Sequence, residues 1–110
     1  MSEEQEIANL GIGRNSPVIV YLHSPREKLW GMVLEINPAG VYLRGIDLNT
    51  FDDWTRMLAR GERNIGLTHT FFPMWRVERI SLDERVDDIP SLADRFQENV
   101  GLSVEEFFAK

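Results

Sequence analysis

His23 and His69 are the only imidazoles in the chain, and there is no cysteine. Imidazole transfers protons near neutral pH and is the commonest metal ligand. Either chemistry needs both rings to converge with a carboxylate, and Asp47 is the candidate. That set defines one reading, an enzyme of unassigned class using His23 and His69. Each histidine also falls in a predicted strand, where it reads more simply as a strand residue. The chain has no H-E-x-x-H, P-loop, G-x-S-x-G or dinucleotide fingerprint. Gly11-Ile12-Gly13 is too short for a phosphate loop and precedes a strand, whereas phosphate binding uses a following helix. The lack of cysteine excludes disulfides, thiol nucleophiles and cysteine-held metals. No catalytic residue, cofactor or metal ligand is assigned on these grounds, and the balance is against an enzyme.

The arginines pose a second chemistry. The 110 residues carry a net charge of −6, unevenly spread. Residues 17–82 are near neutral, and the acidic excess lies in residues 1–16 and 83–110. Phosphate contacts dominate nucleic-acid affinity, so the whole-chain charge disfavours RNA as a partner. The middle segment alone does not, because Arg44, Arg56, Arg60, Arg63, Arg76 and Arg79 lie in it. Of these, Arg44, Arg63, Arg76 and Arg79 are the candidate nucleic-acid contacts. The plainer reading is a solvated surface with local ion pairs.

The third candidate is Phe71-Phe72-Pro73-Met74-Trp75, the densest apolar run of the chain. As structure it is core plus a strand-to-strand corner. As function it is a subunit interface or a peptide groove, because aromatics and methionine are enriched at such surfaces. Phe71, Phe72, Met74 and Trp75 are the interface candidates. A base-stacking platform is a further option, weakened by the acidic flanks.

The elements that must position these residues follow from periodicity. Residues 3–10 can form a short helix, ended by glycine and proline. Pro17–His23 is β-branched and apolar on both parities, a strand covered on both sides or curled into a barrel. Lys28–Ile36 is a second strand, with Trp30, Met32, Leu34 and Ile36 on one face. Gly31 within it predicts a sharp bend or a close backbone approach. Asn37-Pro38-Ala39-Gly40 turns the chain into a third strand from Val41 to Ile46. Phe51, Trp54 and Leu58 form a helical stripe, capped by Thr50 with Asp53 and ended by Gly61. Asp52 and Asp53 read as cap and dipole partners rather than a catalytic pair. Ile65–Phe72 and Trp75–Leu82 are strands four and five. The apolar parity changes between Val77 and Ile80, which predicts a bulge or a strand passing a barrel corner. Ser91 with Asp94 opens a helix that Gly101 ends, and Ser103 with Glu106 opens a last turn.

Leu29-Trp30-Gly31-Met32-Val33 is similar to the glycine-centred second strand of the first Sm motif. Phe71 to Ile80 resembles the short last pair of strands in that fold. On these residues the chain resembles an Sm-like or SH3-type small β-barrel over residues 3–82. Leu43-Arg44-Gly45 has the letters of the second Sm motif but lies too early, on strand three. The lysine–histidine RNA signature of the bacterial Sm-like chaperones is absent. The resemblance implies rings in which strand four pairs with strand five of the next subunit, using Phe71 to Trp75.

The expected fold is mainly β with flanking helices (α+β), a small, strongly bent, five-stranded antiparallel barrel. Residues 1–82 would hold the barrel and an inserted helix near 50–60. Residues 83–110 would be an acidic linker and helical extension packing on the barrel or on a neighbouring subunit. An open five-stranded sheet with helices on one face fits the same pattern. The expected function is a non-enzymatic module that self-associates or docks a protein partner. The acidic N-terminus and the lack of a long apolar run point to a cytoplasmic protein with no membrane contact.

Overall fold

The structure is a computed structural model that describes residues 12–62 and 67–108. The helix expected at residues 3–10, Arg63 and the expected start of strand four at Ile65 lie outside the described residues. The chain forms two compact units, one from residues 12–48 with 67–82 and one from 49–62 with 83–108. No helix among the described residues is long and apolar enough to cross a membrane.

The first unit is a five-stranded antiparallel sheet with the order β4-β3-β2-β1-β5. Its strands are β1 (Pro17–Leu22), β2 (Glu27–Asn37), β3 (Gly40–Asp47), β4 (Thr68–Pro73) and β5 (Val77–Leu82). Among the described residues β4 and β5 each pair on one side only, so the sheet has two edges and no barrel closure. With the helices, this is a mainly β, α+β chain. Val18, Val20 and Leu22 alternate along β1 and are fully buried. They join Val33, Leu43 and Phe72 in one apolar cluster, with Leu29, Val77 and Ile80 against it. Period-two alternation thus gathers this cluster on one face, while Trp30 and Met32, of the other parity on β2, are buried on the opposite face.

Two bulges adjust that alternation. Val33 opposes Leu43, but Glu35 opposes Tyr42, so Leu34 is an extra residue in β2. The expected common face of Trp30, Met32, Leu34 and Ile36 is therefore broken. Trp30 and Met32 are buried, whereas Ile36 opposes Val41 and is exposed. A bulge inserts one residue and so inverts the parity beyond it. The second bulge confirms the expectation at Val77–Ile80. Tyr21 opposes Arg79 and Leu22 opposes Val77, leaving Glu78 extra.

Gly31 meets the expectation of close approach. It opposes Gly45 across β2 and β3. A Cβ on Gly31 would lie 2.4 Å from the Arg44 carbonyl oxygen and 2.6 Å from the Gly45 Cα. Only a residue without a side chain fits there.

The second unit holds α1 (Phe51–Ala59), α2 (Leu92–Val100) and α3 (Val104–Phe108). The expected Thr50 cap does not form. A 3₁₀ turn over Leu48–Thr50 runs straight into α1, and Thr50 keeps a helical backbone (φ −95°, ψ −5°). A capping side chain needs an extended backbone to reach back. Asp53 pairs instead with Arg56, and Asp52 with Arg95. The Ser91–Asp94 capping box is present, with bonds of 2.9 and 3.1 Å. Asp83, almost fully buried, adds two bonds at the same terminus, accepting from the Leu92 and Ala93 amides at 2.9 and 2.8 Å. Gly101 ends α2 at φ 88°. Ser103 accepts from the Glu106 amide at 3.1 Å. Trp54, Phe96 and Phe107 pack mutually at 5.3 to 5.7 Å between centroids, Phe107 edge-on to the other two, and this ring cluster is the core of the unit.

Candidate functional site

The aromatic run divides by parity. Phe72 opposes Val41 and is 6% exposed, so its ring belongs to the core cluster and is not offered to a partner. Phe71 opposes Tyr42 on the other face, and both rings are about two-fifths exposed. Their centroids lie 4.7 Å apart. The Phe71 ring also lies over Gly40, where a Cβ would sit 2.7 Å from its edge. Sequence reasoning missed Tyr42. The signal was present, since Tyr42 stands between two core positions of β3, Val41 and Leu43.

Trp75 is not in strand five as expected, because that strand begins at Val77. Pro73 closes β4, and Met74–Arg76 form a 3₁₀ turn before β5. Proline supplies no amide to continue the ladder. The Met74 amide instead donates to the Ala39 carbonyl at 2.9 Å, tying the turn to the β2–β3 hairpin. Met74 is exposed, and Trp75 more so at 65%. The Trp75 ring meets His23 edge-on at 6.4 Å.

The arginines do not gather. Arg44 opposes His69 near the β4 edge. Arg79 opposes Tyr21 at the β5 edge, with its guanidinium 4.1 Å from the ring centroid. Three inter-strand spacings separate those strands, about 14 Å if flat. Arg76 is turned into the protein. It donates to the carbonyls of His23 and Pro25 at 3.2 and 2.9 Å and to Glu27 at 2.9 Å. Its side chain is 17% exposed, which suits a clamp better than a phosphate contact.

The histidines do not converge either. His23 lies past the end of β1, not inside a strand, with Nδ1 3.1 Å from the Ser24 hydroxyl. His69 lies on β4, and Asp47 lies at the far end of β3 opposite Leu29. The chain turns after Leu22, which places His23 beyond the Leu22–Glu27 row while His69 shares the Arg44–Met32–Pro17 rows. Among the described residues no three His, Cys, Asp or Glu side chains are grouped to hold a metal. Comparison with protein-family models, curated proteins and solved structures gives no significant match.

Proposed function

We propose that the chain is a non-enzymatic, small-barrel-like module that self-associates through its β4 edge. The observation that carries this reading is the exposed Tyr42–Phe71 pair on and beside an edge strand, with Met74 exposed just after it. An edge strand presents unpaired amides and carbonyls, and exposed rings beside it favour pairing over solvation. The Gly31–Gly45 close approach supports the Sm-like or SH3-type bend, while the comparisons add nothing to it.

The geometry favours β4 against β4 of a second copy. A twofold contact sets the Tyr42–Phe71 surface against itself. The ring implied by the Sm resemblance would set it beside Arg79 and Glu78 of β5, a poorer match. The assembly would be cemented by rings rather than by charge.

Sedimentation velocity over a concentration series tests the reading. The unmodified protein should be a dimer, and Phe71→Glu should be a folded monomer by circular dichroism. An unmodified protein that stays monomeric, or a Phe71→Glu variant of unchanged mass, overturns it. Nucleic acid travelling with the protein, seen as a raised 260/280 nm ratio, would favour the arginine reading in its place.

A further inference from the structure

The β5 edge carries a second surface of different chemistry. Arg26, Glu27, Lys28, Glu78 and Arg79 surround Tyr21 and line an open groove of about 190 Å³. Three features build it. The register places Lys28 and Arg79 on either side of Tyr21 along one row, with Lys28 Nζ 5.6 Å from the ring centroid. The bulge at Glu78 sets Arg79, rather than Glu78, opposite the ring. Arg76 pins the loop that presents Arg26, through the Pro25 carbonyl and Glu27.

The charges in this groove are unevenly committed. Glu27 is paired with Arg76. Arg26, Lys28 and Arg79 form no ion pair among the described residues. Three unpaired cations thus face one uncommitted acid, Glu78, on a chain of net charge −6. Like charges held together without counter-charges repel, and an anionic ligand relieves that.

We propose that the β5 edge and the Tyr21 groove bind an extended acidic peptide. The strand itself selects the ligand class. Among the described residues β5 pairs only with β1, so its other side presents the hydrogen-bonding groups that a polypeptide backbone matches. Side chains of an added strand alternate between faces, so acids at every second position lie beside Arg79 and Tyr21. Nucleic acid fits less well. The Tyr21 ring already lies under the Arg79 guanidinium, and Glu78 borders the groove. The site does not depend on self-association, because β5 lies at the opposite edge from β4.

The probe is a fluorescein-labelled peptide alternating Glu with Thr, read by fluorescence anisotropy on the full chain at low and moderate salt. Its controls are the same peptide with Lys for Glu and one N-methylated at alternate amides. The Glu peptide should bind, the Lys peptide should not, and N-methylation should abolish binding. Arg79→Gln and Lys28→Gln should each weaken binding about tenfold. Both side chains are exposed, so thermal melts should show the variants folded. Phe71→Glu should bind the peptide normally, which separates this site from the β4 contact. No binding of the Glu peptide overturns the proposal. So does equal binding by a triple Arg26, Lys28 and Arg79 to Gln variant, or undiminished binding of the N-methylated peptide. A single-stranded RNA oligonucleotide that displaces the peptide at lower concentration also overturns it.

Discussion

Strand β4 ends one side of the sheet in rings, and β5 ends the other in charges. Inward, the two are alike. β4 gives Phe72 to the core cluster, while β5 places Val77 and Ile80 against it. Outward, they diverge. β4 carries Phe71 against Tyr42, and β5 carries Arg79 against Tyr21. A tyrosine thus stands next to each edge, stacked on a phenyl ring in one case and a guanidinium in the other. The inward residues decide that the strands join the sheet. The outward residues are released from that task and set what each edge can meet. An apolar edge suits a copy of itself, and a cationic edge suits an anionic strand.

The largest perturbation lies between the edges and should abolish both. Gly31→Val places a branched side chain against the Arg44 carbonyl and the Gly45 Cα, where even a Cβ comes within 2.6 Å. Both obstacles are backbone, so β2 and β3 must separate. Overpacking usually costs 1–3 kcal/mol, and with no side chain able to yield the loss here should reach about 4 kcal/mol. Urea unfolding monitored by far-UV circular dichroism checks this. Near-normal stability would mean that the close approach is not maintained in solution.

A smaller effect separates two neighbours on β4. Phe72→Ala should destabilise by about 3 kcal/mol, the lower end for a buried phenylalanine. Phe71→Ala should cost about 1 kcal/mol, because its ring is two-fifths exposed. The same denaturation series measures both, and self-association should be lost only where Phe71 is changed with the fold intact. Equal costs would place both rings in the core and dissolve the contrast between the edges.

That pair also shows how far the sequence is legible. Alternation says that Phe71 and Phe72 point to opposite faces, but both are phenylalanine, and nothing local says which is inside. The register against β3 decides it, and that pairing spans about thirty residues of chain. Local signals fared better. The β2–β3 hairpin, the Ser91–Asp94 box, the Gly101 stop and the bulge after Val77 each rest on residues within a few positions of one another. Thr50 failed because the preceding turn was already helical. Asp83 escaped notice because its amide partners lie nine and ten residues away, across an acidic stretch that reads as a linker.

The candidate sites were less legible still, for the same reason. The Tyr21 groove joins Lys28, seven residues on, to Arg79, which is adjacent only through β1–β5 pairing. The arginines were read as one class, yet they divide by environment. Arg76 is a clamp, Arg79 is an exposed cation over a ring, and Arg44 lies toward the other edge. Composition counts such residues without showing which of them already have partners.

The two arginines of the β5 side test that division of labour. Arg76→Ala removes two bonds to the β1–β2 loop and one to Glu27 at the start of β2, which loses its cation. Hydrogen bonds from a charged donor are worth about 1.5–3 kcal/mol when partly shielded, and a carbonyl left exposed recovers water, so the net loss should be about 2 kcal/mol. Arg76→Lys should recover only part of it, because an ammonium cannot span two carbonyls and a carboxylate as a planar fork does. Arg79→Ala should cost under about 1 kcal/mol, the range of an exposed cation–ring contact. Peptide binding inverts the grouping. Both variants should weaken it, Arg79→Ala by removing a contact and Arg76→Ala by freeing the loop that holds Arg26 beside Tyr21 and by leaving the Glu27 carboxylate uncompensated in the groove. If Arg76→Ala is destabilised yet binds the Glu peptide as well as the unmodified protein, the clamp serves the fold alone, and the groove does not depend on the loop it pins.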